Sequence, residues 1–235
     1  MRSVMILILM GLVLSSSFAQ KRIKGNNSDE VLAMVVKGFE GVHDFSAMID
    51  AEINMERMQI PKMHADIFFK KPDKVHFSSK GFLFVPREGF ALNPAVLQEH
   101  YLTTSVVEDT VEGKQWFKLL LTAKDSKTRL RTLFVWVDPL HWTIAKIETM
   151  PYEGRTLSIL FTYEYQQDKF WLPSKMVVRF GSESDKTQKD SSTSIDNQLD
   201  ALQRNIPRSG TVTVVYSNYK INIGLPDELF EKKEK

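Results

Sequence analysis

The side chains that most often do chemistry are scattered along this sequence. Its histidines have neither the i, i+4 spacing of a helical metal-binding pair nor the short spacing of a hairpin site. These residues are His43, His64, His76, His100 and His141. The pattern therefore predicts no metal site.

Motifs for nucleophilic catalysis and for phosphate binding are also missing. The sequence contains no G-x-S-x-G elbow, no P-loop and no G-x-G-x-x-G. Adjacent acidic residues, such as Glu108 with Asp109 and Asp227 with Glu228, point apart on a strand and are typical of solvated turns. A carboxylate pair formed by tertiary contact, and with it a hydrolase of unrecognised type, stays open here. We predict a protein that is not an enzyme and has no cofactor.

The composition excludes several further classes of protein. There is no cysteine, which rules out disulfides, a thiolate zinc site, a cysteine nucleophile and a lipidated cysteine. With 43% hydrophobic and 26% charged residues, the 235-residue chain is typical of a globular protein. The net charge is only +2, from 31 basic and 29 acidic residues, so we expect no nucleic-acid partner.

The first residues have the layout of a secretory signal peptide. A basic residue, Arg2, precedes an apolar run from Val4 to Leu14, and small residues lead up to Ala19. The run is shorter than the roughly 20 residues that a membrane-spanning helix needs. We predict a signal peptide over residues 1–19, cleavage after Ala19, and export to the periplasm.

The next segment predicts an amphipathic helix. Asn27 has the side chain of an N-cap, and Glu30 follows at the third helical position. Apolar residues then recur at helical spacing. We expect a helix over residues 28–40, ended by Gly38 and Gly41.

From Phe45 onward the repeat changes to the two-residue alternation of β-strands. Segments of this type cover residues 45–56, 63–70, 74–79, 116–122, 130–137, 143–149, 157–165, 175–180 and 212–220. Short turns rich in Gly, Pro, Asp and Lys separate many of them. Because long parallel crossovers are absent, the sequence predicts an antiparallel meander in an α+β protein.

Two segments interrupt the meander. Asn93 has the residue type of a helix cap and Pro94 that of a first helical position, which predicts a short helix there. A polar excursion at about residues 181–210 contains one weak amphipathic stretch, at about 194–205. No linker separates two cores, so we expect residues 20–235 to form a single domain.

Several strands are apolar on both faces. The segment from Leu133 to Val137 is one example, and Leu119 to Leu121 is another. A sheet with few helices needs only one apolar face. A second apolar face indicates a covering layer, a lid, an apolar ligand or ordinary core packing on both sides. The residues leave these alternatives open.

The order of these elements, together with several local motifs, resembles the LolA-like periplasmic lipoprotein carriers and sorting proteins of diderm bacteria. The matching motifs are FKKPDKVHF at 69–77, VEGKQWFKL at 111–119, VWVDP at 135–139, WLPSKM at 171–176 and YKINIGLPDELF at 219–230. The resemblance covers about residues 28–230. An arginine that closes the lid in that family has no match here.

This resemblance implies a strongly curved antiparallel β-sheet, an incomplete barrel, with a few helices covering the concave face. It also implies a monomeric periplasmic carrier that binds acyl chains of lipoproteins or lipids and moves them toward the outer membrane. Handover proteins at the inner and outer membranes would be its partners. The alternative is a periplasmic lipid-sensing or regulatory module of the same fold.

In that family the cavity between sheet and helices is lined by apolar side chains. From the strand alternation we expect the corresponding residues to be Ile49, Ala51, Ile53, Ile67, Phe69, Phe77, Leu119, Leu121, Phe134, Trp136, Ile159 and Phe161. A shift of one residue in any strand would turn its members to the other face.

Overall fold

The computed structural model describes residues 28–55, 58–78, 93–111, 113–126, 128, 130–149, 156–181 and 209–231. Three features predicted above lie outside the described residues: the signal peptide over 1–19, the helix cap at Asn27 and the helix at about 194–205. They stay predictions.

The described residues form two α-helices, one short 3-10 helix and eleven β-strands. The helices are α1 Ser28–Gly38, α2 Ala95–His100 and the 3-10 helix Asp227–Leu229. The strands are β1 Asp44–Met55, β2 Met58–Gln59, β3 Met63–Lys70, β4 Lys74–Phe77, β5 Tyr101–Val111, β6 Lys114–Ala123, β7 Thr132–Asp138, β8 Thr143–Thr149, β9 Thr156–Gln166, β10 Phe170–Gly181 and β11 Gly210–Ile221.

All strands belong to one antiparallel sheet. Its order is β4-β3-β1-β11-β10-β9-β8-β7-β6-β5, with β2 paired to β1 off this path. Strands β5 to β11 are neighbours in chain order, as the short turns predict. Strands β4 and β5 lie at opposite edges, so the curved sheet is an incomplete barrel. The predicted α+β fold class is confirmed.

Strand β5 was not among the predicted segments. It lies at the edge of the sheet and pairs only with β6 among the described strands. Its apolar residues Leu102 and Val107 are 56% and 54% exposed. Because neither face of this edge strand is consistently buried, its sequence lacks the alternation by which the other strands are identified.

Helix α1 covers part of the inner face of the sheet, which we define as the face carrying the core. Val31 and Leu32 lie one helical turn before Val35, and all three are buried there. The helix ends at Gly38, two residues before the predicted end. The apolar stripe of α1 thus buries part of the inner face, which an open sheet cannot bury against itself.

Lys71, in the turn between β3 and β4, fixes the chain just after α1. Its Nζ donates hydrogen bonds to the carbonyl oxygens of Phe39, at 3.1 Å, and Glu40, at 2.8 Å. The ammonium group also lies 5.3 Å from the centroid of the Phe39 ring. Partial burial lowers the pKa of Lys71, and Glu40 acts in the opposite direction.

The short helix α2 begins at Ala95, one residue later than predicted, and Pro94 is its N-cap. The side-chain oxygen of Asn93 accepts a hydrogen bond from the Ala95 backbone N–H at 3.0 Å. Asn93 is buried, and its amide nitrogen donates to the carbonyl oxygen of Pro72. This side chain therefore connects α2 to the turn after β3.

The core lies on the inner face and follows the strand register. Ile49 of β1 pairs with Tyr216 of β11, and Leu119 of β6 pairs with Val135 of β7; all four are buried. The largest fully buried side chains are Phe45, Phe69, Leu32, Ile49, Ile67, Leu97, Leu119, Leu121, Leu133, Ile147, Ile159 and Leu172.

A buried carboxylate connects the start of β1 to the segment after β11. Asp44 is 5% exposed, and its two oxygens accept hydrogen bonds from the backbone N–H groups of Ile223, at 2.8 Å, and Gly224, at 3.1 Å. Its backbone carbonyl accepts a third, from the Asn222 N–H, at 2.8 Å. The carboxylate thus satisfies two part-buried backbone donors just after β11.

We expect Asp44→Ala to lower the free energy of unfolding by about 2 kcal/mol, because it leaves two partly buried N–H groups without an acceptor. Urea denaturation followed by circular dichroism measures this. The matched control is Asp73→Ala, which removes an exposed carboxylate and should change stability by less than about 0.5 kcal/mol. Equal stability of the two variants would contradict the role given to Asp44.

Candidate functional site

A cavity of about 100 Å³ lies between the C-terminal end of α1 and one end of strands β7 to β10. It is lined by Val35, Gly38, Phe39, Pro94, His141, Trp142, Thr143, Ile144, Phe161, Tyr163, Lys169, Trp171 and Pro173. We call it the α1 pocket.

The α1 pocket has an apolar inner end and a polar rim. Val35, Phe39 and Ile144 are buried, so they form its inner end. Lys169 is exposed, and the side chain of His141 keeps a third of its surface in water. A ligand that fits this pocket has an apolar part and a polar part.

The turn between β7 and β8 is organised by Asp138. One carboxylate oxygen accepts from the Leu140 N–H and the other contacts His141 Nδ1, each at 2.8 Å. The Asp138 backbone carbonyl accepts from the Trp142 N–H, also at 2.8 Å. Three interactions with one residue thus orient the two rings that this turn contributes to the pocket, those of His141 and Trp142.

Trp142 connects this turn to the core and to α1. It has a positive φ of 54° and stacks on Phe117 with ring centroids 6.0 Å apart. Gly38 of α1 faces its carbonyl: a Cβ added at Gly38 would lie 3.7 Å from that oxygen, an ordinary contact distance. A small side chain is therefore tolerated at position 38, whereas a long one would enter the pocket.

The hairpin between β9 and β10 supplies the opposite side of the rim. Gln167 and Asp168 both have positive φ, 50° and 49°, as the central residues of a type I′ turn do. The Lys169 N–H closes the turn on the Gln166 carbonyl at 3.1 Å. Lys169 is the last residue of this turn, directly before β10, and its Nζ lies 5.2 Å from the Phe170 ring centroid.

Aromatic rings join the two turns across the rim. The His141 ring lies 4.2 Å from that of Trp171, and Trp171 in turn lies 5.3 Å from Tyr165. The first contact joins residues that are 30 positions apart in the chain, and the second crosses the β9–β10 hairpin. The rim is therefore a product of the sheet topology.

Tyr163 lines the pocket as a neutral hydroxyl. Burial raises the pKa of its phenol well above the usual value, while a backbone hydrogen bond with Ile144 acts in the opposite direction. The buried phenols of Tyr216 and Tyr219 also have raised pKa values. All three keep their protons throughout the physiological range.

Ten of the twelve residues predicted to line a cavity share the inner face of the sheet. The register places Ile159 beside Val178 and Phe161 beside Met176, on the same side as Ile49 and its neighbours. Of these ten, only Phe161 lines the α1 pocket. The others are Ile49, Ala51, Ile53, Ile67, Phe69, Phe77, Leu119, Leu121 and Ile159, and they belong to, or pack against, the core.

Phe134 and Trp136 lie on the outer face instead, because Leu133, Val135 and Val137 face the core. Lys118 Nζ lies 4.8 Å from the centroids of both outer rings. The ring of Trp136 also lies 4.5 Å from Lys146 Nζ, and its Nε1 donates to Asp109 at 3.0 Å. Lysine chains lie over these rings, so among the described residues the apolar outer face of β7 is covered by its strand neighbours.

Sequence reasoning did not identify the rim residues His141, Trp142, Tyr163, Lys169 and Trp171 as a site. The order of the predicted strands could have brought these turns together. Alternate turns of an antiparallel meander lie at the same end of the sheet, so the β7–β8 and β9–β10 turns must be near each other.

The described residues contain neither a metal site nor a membrane-spanning helix. In the described part of the chain, no group of three or more His, Asp or Glu side chains could hold a metal ion. Within the same residues, no helix combines the length and the hydropathy required to cross a membrane.

Solved structures of the LolA superfamily resemble this fold. A LolA superfamily protein of Nitrosomonas europaea aligns over 88% of this chain and 99% of its own, with a TM-score of 0.59 and 12% identity. A domain assigned as an outer membrane lipoprotein-sorting protein of Vibrio parahaemolyticus covers 88% and 98%, with a TM-score of 0.53 and 14% identity. A DUF1329 family protein of Desulfovibrio piger covers the same shares, with a TM-score of 0.55 and 16% identity.

No protein-family model and no curated protein matches the sequence. At these identities the likeness concerns the fold alone, and the chain has a LolA-like fold. The predicted resemblance is confirmed at that level.

The raised tyrosine pKa values predict how the protein responds to alkali. Because the unfolded chain loses phenol protons at about pH 10 and the folded chain retains them, stability is full below that pH and falls as the pH rises further. Of six tyrosines, the three with raised pKa values should not ionise before unfolding. The phenolate absorbance of the folded protein should therefore reach at most half of that of the denatured protein, and a full titration with intact circular dichroism would contradict the assignment.

Proposed function

We propose that this protein is a periplasmic carrier that binds acyl chains of lipoproteins or lipids between α1 and the sheet and moves them toward the outer membrane. Binding without chemical conversion is its activity. Residues 20–235 act as a single domain and as a monomer, with membrane-bound handover proteins as partners.

The observation that carries this proposal is the position of the α1 pocket. It lies where the helix covers the inner face incompletely, and its inner end is formed by Val35, Phe39 and Ile144. Each CH₂ group that leaves water for such a surface contributes about 0.8 kcal/mol. A chain of ordinary length thus gains enough to stay bound during transit through an aqueous compartment.

The size of the pocket sets a condition on this function. An apolar cavity of about 150 Å³ holds one benzene molecule, so the pocket of about 100 Å³ holds only the last few carbons of an acyl chain. A whole chain fits when α1 moves away from the sheet. Three buried side chains, Val31, Leu32 and Val35, pack α1 against the sheet. The acyl chain replaces their contacts with its own when it enters.

We expect lipids with dibrominated acyl chains to quench tryptophan fluorescence, because Trp142 and Trp171 line the pocket. Gly38→Leu should raise the Kd of the brominated lipid about tenfold, since the leucine side chain fills the space that the acyl chain needs. Titration of the purified protein with the brominated lipid measures the effect.

Two variants control this experiment. Gly38→Ala adds only a Cβ at an ordinary contact distance and should bind as the original chain does. Phe134→Ala changes the outer face and should also leave binding unchanged. If no variant and no lipid gives quenching, and solvent extracts of the protein purified without detergent contain no lipid, the carrier function is wrong.

A further inference from the structure

The permanent charge in the lining of the α1 pocket is positive. Among its lining residues, all within the described chain, Lys169 is the only one with a permanent charge, and none is acidic. None of the ion pairs found among the described residues involves Lys169. The nearby carboxylate of Asp138 does not line the pocket, and its oxygens are bonded to Leu140 N–H and His141 Nδ1.

Two hydroxyl groups accompany this charge in the lining of the pocket. Tyr163 contributes a neutral hydroxyl and Thr143 another, and both line the same pocket as Lys169. An ammonium group and hydroxyls are the groups that bind carboxylate or phosphate oxygens in proteins. The buried end, by contrast, consists of apolar side chains from α1 and β8.

We infer that the α1 pocket selects amphiphiles with an anionic headgroup, a carboxylate or a phosphate, which Lys169 and the Tyr163 hydroxyl bind while the acyl chain lies against α1. This inference rests on the proposed function and adds the chemical class of the cargo. The apolar wall provides affinity for any chain, whereas the rim discriminates between headgroups.

The test compares ligands that share one palmitoyl chain. Palmitate and palmitoyl lysophosphatidylglycerol are anionic, monopalmitoylglycerol is neutral, and inorganic phosphate has the charge without the chain. Each competes with a brominated neutral lipid for tryptophan quenching at low salt. We expect both anionic lipids to bind about three- to tenfold more tightly than the neutral one, and phosphate alone not to compete.

Lys169→Gln should reduce the affinity for the anionic lipids to that for monopalmitoylglycerol and leave the neutral lipid unaffected. Lys175→Gln is the matched control, because Lys175 lies exposed on β10, the strand that follows Lys169, but outside the pocket. Added salt should shrink the preference in the original chain, since the rim charge is exposed to solvent.

The outcomes separate the two proposals. Failure of every lipid to bind overturns the carrier function. Equal binding of anionic and neutral lipids, or an equal loss for both in Lys169→Gln, overturns the headgroup inference alone. A preference for palmitate over the lysophospholipid identifies a carboxylate as the preferred group, and the reverse identifies a phosphodiester. Competition by free phosphate would mean an anion site that does not recognise amphiphiles, and would also overturn the inference.

Discussion

The need to cover the inner face of an open sheet dominates this structure. The strands present apolar side chains to that face, and the two edges, β4 and β5, are not joined. A sheet that does not close on itself must bury its apolar face against another element. Helix α1 does so with one stripe of side chains, and a single helix is narrower than the surface beneath it. The α1 pocket lies where this cover ends.

The outer face also carries apolar side chains, and none of the described helices covers them. Phe134 and Trp136 project away from the core, and the side chains of Lys118 and Lys146 lie across their rings. Long lysine side chains bury methylene groups against an apolar surface while their ammonium groups stay in water. The two faces therefore differ in function: the outer one is sealed by its own strand neighbours, and the inner one depends on an element that is separable from the sheet.

The rim of the pocket is built by turns. Asp138 fixes the β7–β8 turn through its carboxylate and its carbonyl, and the Gln167–Asp168 pair turns the chain so that Lys169 lies directly before β10. Turns at the end of a sheet reach solvent, so polar groups are stable there. An apolar interior with a polar, cationic rim follows directly from this placement, and it is the arrangement that an amphiphilic ligand requires.

The sequence by itself determined the fold class, the helix α1 and most strands, because an alternation such as that from Phe45 to Met55 has only one stable interpretation when one face is buried. It did not determine the faces of β7: Leu133 to Val137 are all apolar, so periodicity cannot choose between them, and the pairing with β6 and β8 decided it. Only the tertiary structure brought Trp142 and Lys169 to one pocket. Their proximity depends on which hairpins meet at one end of the sheet, and local residue patterns do not predict that.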